Sequence, residues 1–173
     1  MPANQIVGLL PGDIFVHRNI ANLVIHTDLN CLSVIQYAVD VLKIQHIMVV
    51  GHYGCGGIKA VLNGDRVGLT DNWLRHIQDI KQQYTAHFEK ISAEKEQWNL
   101  LCKLNVIEQT INVCQTTIVQ EAWAKNQKLA IHGFIYSLKD GMLKDLGITI
   151  EHVAEIAIKH QEAIKTLLQE YYE

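Results

Sequence analysis

The chain has 173 residues, the size of one domain, and 49% of them are apolar, enough to fill a substantial core. Charged residues make up 19% and the formal net charge is −3 with a pI near 6.3, which argues against a surface built for nucleic acid or an anionic membrane. The opening residues Met1 to Gln5 lack the basic and apolar parts of a secretory signal, and no stretch reaches the roughly 18–20 apolar residues of a membrane span. With four scattered cysteines (Cys31, Cys55, Cys102, Cys114) making no disulfide framework, a soluble cytoplasmic protein with reduced thiols is expected.

In chain order, the Pro11-Gly12 turn signal introduces a short strand over Asp13 to Asn19. Asp28 is placed to cap a helix running to about Lys43, with Leu32, Ile35, Val39 and Leu42 at helical spacing. Ile47 to Val50 is the next strand, and strand–helix–strand order implies a parallel pair with a right-handed crossover. A brief helix (Ile58 to Leu62), a turn at Asn63-Gly64-Asp65 and a helix opening at Asp71 follow. One long helix is expected from about Lys95 to Lys125, then a central strand over Leu129 to Ser137. A turn at Lys139-Asp140-Gly141 leads into a hairpin strand ending near Ile148, and Glu151 to Tyr172 closes the chain as an amphipathic helix. The fold class is α/β: one domain over 1–173, a parallel-core β-sheet of at least three strands flanked by helices.

The stretch His46 to Gly57 carries the chemistry. A buried strand ends in Gly51 and delivers His52 and Cys55 at its carboxyl end, where open α/β sheets place their ligands. A neutral imidazole and a thiolate are good Zn²⁺ ligands, and Gly54 and Gly56 relieve crowding where the backbone turns around an ion. Two other readings stand beside this one: a glycine-rich strand-to-helix turn with a buried cysteine, and a phosphate-cradling loop that lacks the lysine of a P-loop. Cys102 and Cys114 read as core residues, and Cys31 as a small buried hydrophobe at a helix start. His17 and His26 have no partner at metal-ligand spacing, and His76, His87, His152 and His160 fall on solvated helical faces.

Several blocks, in order, resemble the β-class carbonic anhydrases: Pro11 to Asn22, Ile35 to Val39, Gly51 to Gly57, Asn105 to Gln109 and Ile131 to Gly133. The last two fit the bacterial branch as well. The resemblance implies a zinc enzyme interconverting CO₂ and bicarbonate, with His52 and Cys55 as two of its protein metal ligands. It also implies Gly56 N–H as a substrate contact, Phe15 and Ile20 lining an apolar CO₂ pocket, and Tyr37 reaching a neighbouring subunit in a homodimer or homotetramer. Arg18 and Tyr136 match an arginine and a tyrosine that hold a regulatory bicarbonate in some bacterial members; the tryptophan of that site has no counterpart.

One departure stands out. The family's first ligand lies in a Cys-x-Asp-Ser-Arg motif directly before the segment matching Pro2-Ala3-Asn4, so the expectation is a chain that starts after it. The first zinc cysteine, the Asp/Arg pair, the central strand and the N-terminal helices would then be lacking, and activity would be impaired; a non-catalytic remnant binding a subunit or an anion is the alternative. The same metal chemistry is compatible with other small heterocumulenes such as CS₂ or COS.

Overall fold

The computed structural model describes residues 3–172; the reading of the start at Met1 and Pro2 lies outside the described residues. Among the described residues three strands form one mixed sheet in the order β1 (His46–His52), β2 (Ala130–Tyr136), β3 (Leu143–Ile150). β1 and β2 are parallel, pairing His46 with Ala130 through to His52 with Tyr136, whereas β2 and β3 are antiparallel with a register irregularity between His132 and Phe134. The α/β class and the flanking helices are as expected.

The helices are α1 (Ala3–Val7), α2 (Leu29–Asp40), α3 (Gly56–Asn63), α4 (Thr70–Gln83), α5 (Thr85–Phe88), α6 (Glu94–Cys114), α7 (Thr117–Ala124) and α8 (Ile156–Gln169). α2 starts where Asp28 accepts hydrogen bonds from Asn30 N–H (3.1 Å) and Cys31 N–H (3.4 Å), which satisfies donors the first turn leaves open. The centre of the molecule is α6, which packs on β1 and β2 and against α3, α4 and α8. Its Leu100, Leu101, Leu104, Val106 and Ile107 are fully removed from solvent. At about 1.5–3 kcal/mol for each large apolar side chain buried, this helix contributes the largest block of core stabilisation. No helix among the described residues is long and apolar enough to cross a membrane.

Two expectations are corrected. Residues 13–19 form no strand; they hold no regular secondary structure, Phe15 and Val16 are exposed, and no strand among the described residues pairs with them. The crossover expected between that strand and Ile47–Val50 is therefore absent from the sheet, whose parallel pair is joined instead by the long α3–α7 connection. A β-branched, alternating segment becomes a strand only when another edge supplies its hydrogen bonds. The single helix expected over 95–125 is broken at Gln115-Thr116: buried Thr116 accepts from Val119 N–H at 3.3 Å and donates to Val113 O at 2.8 Å, so it caps α7 rather than continuing α6.

Candidate metal centre

His52 closes β1, and Cys55 occupies the N-cap of α3 three residues later. Gly54 makes the intervening turn at φ +75°, a left-handed conformation natural to glycine. Gly51 is needed for a different reason, since a Cβ there would stand 2.5 Å from Val106 Cγ2 and 3.1 Å from Asn22 Oδ1. Trp98 Nε1 donates to Cys55 O at 3.0 Å, and Lys59 lies 5.0 Å over the Trp98 ring, so α6 grips the loop from beneath.

The polarity of the pair is set by the backbone. His52 Nδ1 lies 3.0 Å from Tyr53 O, and because a carbonyl only accepts, Nδ1 carries the proton and Nε2 keeps its lone pair. Metal-bound histidines are oriented in this way through their other nitrogen. A hydrogen bond links the His52 and Cys55 side chains; it raises the His52 pKa against the effect of burial, with the Tyr53 carbonyl adding to the rise and the Arg18 charge opposing it. Burial works to raise the Cys55 thiol, but the His52 hydrogen bond and the Ile58 and Gly57 amides at the start of α3 carry it below its ordinary value. By contrast, burial pushes Cys102 and Cys114 up to about 12, which makes them inert core thiols, as expected.

This donor pair fits two corners of a tetrahedral zinc site. Among the described residues no third histidine, cysteine, aspartate or glutamate joins His52 and Cys55 at ligand distance. The other site residues fall around the loop to different degrees. Ile20 is 55% exposed and lies on Gly57, with its Cγ2 3.6 Å from where a Cβ would stand, and its carbonyl accepts from Trp73 Nε1 at 2.8 Å. Gly56 is the first residue of α3. Phe15 and Tyr37 are half-exposed and meet each other, ring centroids 6.0 Å apart. Arg18 is exposed but close enough to act on His52, while Tyr136 is buried on β2 as the register partner of His52.

Sequence reasoning missed the device that holds Ile20 in place. Asn105, Gln109 and Asn112 lie on one side of α6 at helical spacing, and the first two are buried. Asn105 Nδ2 donates to Ala21 O (2.8 Å), Gln109 Oε1 accepts from Val24 N–H (2.8 Å), and Asn112 Nδ2 donates to Val24 O (3.0 Å). Gln109 Nε2 also donates to Asn105 Oδ1 at 3.1 Å, which ties the row together. This grip coincides with the left-handed backbone of Ala21 (φ 61°) and Asn22 (φ 46°). The available signal was three amide residues on the apolar face of a helix.

Two further histidines depart from expectation. His160 Nε2 pairs with Glu108 Oε1 at 2.8 Å, half-buried rather than solvated. His17, expected to have no partner, is brought beside Asp28 and Cys31.

Comparison with known proteins places these features in a family. The model of a family described as "Carbonic anhydrase" matches residues 1–143. A carbonic anhydrase of Emericella nidulans is 46% identical over 148 residues, covering 86% of this chain and 65% of the relative. One from Pseudomonas aeruginosa is 30% identical over 142 residues, 79% of this chain and 63% of the relative, so the greater identity is with a fungal protein rather than a bacterial one. The chain thus spans slightly less than two thirds of these relatives. Among solved structures, a Coccomyxa β-carbonic anhydrase in complex with acetazolamide superposes with a TM-score of 0.85 at 34% identity, covering 96% of this chain and 78% of that one. A tetrameric β-carbonic anhydrase of Sordaria macrospora gives 0.82 at 37% identity, over 86% and 76%.

Proposed function

The chain belongs to the β-carbonic anhydrase family, and from that premise we propose that its site serves zinc-dependent reversible hydration of CO₂ to bicarbonate and a proton. The observation that carries this reading is the His52–Cys55 pair, with the imidazole's Nδ1 committed to Tyr53 O and the thiol pKa lowered at a helix start. His52 Nε2 and Cys55 Sγ are the atoms that would hold Zn²⁺. Bound zinc supplies a nucleophile from water near neutral pH, as established for carbonic anhydrases with three histidine ligands.

The chain's own residues do the rest. Gly56 N–H, at the start of α3, donates to a substrate oxygen and adds the helix's favourable end to developing negative charge. Phe15 and Ile20 offer apolar surface to CO₂, which has no net dipole and gains nothing from a polar wall. Tyr37, half-exposed beside Phe15, extends toward a second subunit, and this exposed apolar region supports a homodimer or homotetramer. Arg18 and Tyr136 flank His52 and are the residues that would hold a regulatory bicarbonate. A cytoplasmic location is part of the same proposal.

The described residues supply two of four metal donors, so these 173 residues by themselves hold zinc weakly and hydrate CO₂ slowly. The same observation favours a second reading, a non-catalytic protein that binds a subunit or an anion. Zinc analysis of the purified chain and its His52→Ala and Cys55→Ser variants, with stopped-flow CO₂ hydration, tests both. One zinc equivalent bound weakly by the wild type and lost from both variants, with slow hydration that follows the loading of that equivalent, supports the enzyme reading. Zinc binding without any hydration supports the non-catalytic reading, and zinc content unchanged by either substitution overturns the assigned ligands.

A further inference from the structure

We propose that His17, Asp28 and Cys31 form a second cation site, suited to Zn²⁺ or a similar borderline-soft divalent ion and independent of His52 and Cys55. A ring nitrogen of His17, a carboxylate oxygen of Asp28 and Cys31 Sγ all lie within 4.8 Å of one another. A zinc ion with bonds of about 2.0–2.3 Å sets tetrahedral donors roughly 3.3–3.8 Å apart, so a small inward adjustment of the three groups suffices. Nitrogen, oxygen and sulfur together are a donor set that zinc accepts and that Mg²⁺ or Ca²⁺ does not favour.

Each member is prepared for the role. Asp28 and Cys31 are three residues apart at the start of α2, which puts them on one side of the helix. Asp28 Oδ1 accepts both capping N–H groups, and Oδ2 accepts no hydrogen bond among the described residues, so the carboxylate can cap and ligate at once. His17 Nε2 is shielded from solvent and has no hydrogen-bond partner, an uncompensated cost that marks this ring as unfinished within the protein. Cys31 is 3% exposed, which supplies the dry wall, while half-buried Asp28 leaves a side open to a water as fourth ligand. The same burial argues against a cysteine nucleophile served by His17, since no substrate atom reaches a thiol so enclosed.

The test is zinc stoichiometry on the full chain, titrated with Zn²⁺ alone. Asp28→Asn is the discriminating variant, because asparagine caps a helix as well as aspartate but removes the anionic ligand. Cys31→Ser and the double variant His52→Ala/Cys55→Ser complete the set, with circular dichroism checking helix content in each. Asp28→Asn and Cys31→Ser should each lose the same zinc equivalent, and His52→Ala/Cys55→Ser should retain it. Retained zinc should show the thiolate charge-transfer band on Co²⁺ substitution. Zinc content unchanged in Asp28→Asn with helix content intact overturns the proposal even if Cys31→Ser fails to fold. So does a folded His52→Ala/Cys55→Ser protein that binds no metal.

Discussion

Residues 14–18 and 19–25 are adjacent and similarly apolar, and neither holds a strand or an α-helix, yet the molecule holds them differently. The first segment makes no backbone hydrogen bond among the described residues, and Phe15 and Val16 stand in solvent. The second is bracketed by Asn19, whose side chain bonds both N–H and C=O of Leu23, and is clasped by the amide row of α6, so that Leu23 and Val24 are buried. Apolar composition alone therefore does not order a loop; what differs is whether side-chain amides satisfy its backbone where no strand can.

The largest effect should come from Asn105→Ala, which orphans Ala21 O and removes the acceptor of Gln109 Nε2 in a dry setting. A loss of about 3–4 kcal/mol is expected in chemical denaturation, with amide exchange at Val24 rising toward that of residues 14–18. Gly51→Ala should cost about 2–3 kcal/mol, because Val106 is stiff at χ1 and Asn22 cannot retreat without disturbing the left-handed loop. Thermal melting checks it, and a near-neutral result would show that the packing of β1 on α6 is looser than the geometry implies.

A smaller, pH-dependent effect belongs to His160. The hydrogen bond that His160 Nε2 donates to the Glu108 carboxylate raises its pKa above the ordinary value of about 6.5, against burial. The folded state therefore binds the proton more tightly, so the contribution is fully present below about pH 6.5 and is lost as pH rises through the raised folded value. Melting temperature measured across that range should fall more for the wild type than for His160→Gln; equal slopes would remove Glu108–His160 from the stability account. The smallest effect is expected for Phe15→Ser, within about 0.5 kcal/mol in the isolated subunit, since that ring is half-exposed already. If its cost matched that of Asn105→Ala, the contrast between the two segments would fail.

Much of this was legible from local pattern. Helical spacing placed α2, α4 and α8, and the Asp28 cap and the Gly64 stop are where residue chemistry puts them. The run into Gly51-His52 marked β1 and its loop because a strand end, glycines and soft ligands are all local features. The Thr116 break was not legible, because a threonine inside an apolar helical pattern can point either way until its neighbours are packed. Nor was the pairing of His160 with Glu108, whose sequence separation hides it from any periodicity.

By itself the sequence determined the type of most helices and of the three paired strands, the core faces and the nearby pair His52 and Cys55, since each depends on residues within a turn or two of one another. Tertiary structure decided the rest. Residues 13–19 have strand-forming side chains but no edge to pair with, so they remain irregular and unpaired. Asn105 and Gln109 became loop clasps, and His17 met Asp28 and Cys31, only when the chain folded back on itself. A strand needs a partner's hydrogen bonds and a ligand cluster needs loop closure, and neither is a property of a single stretch.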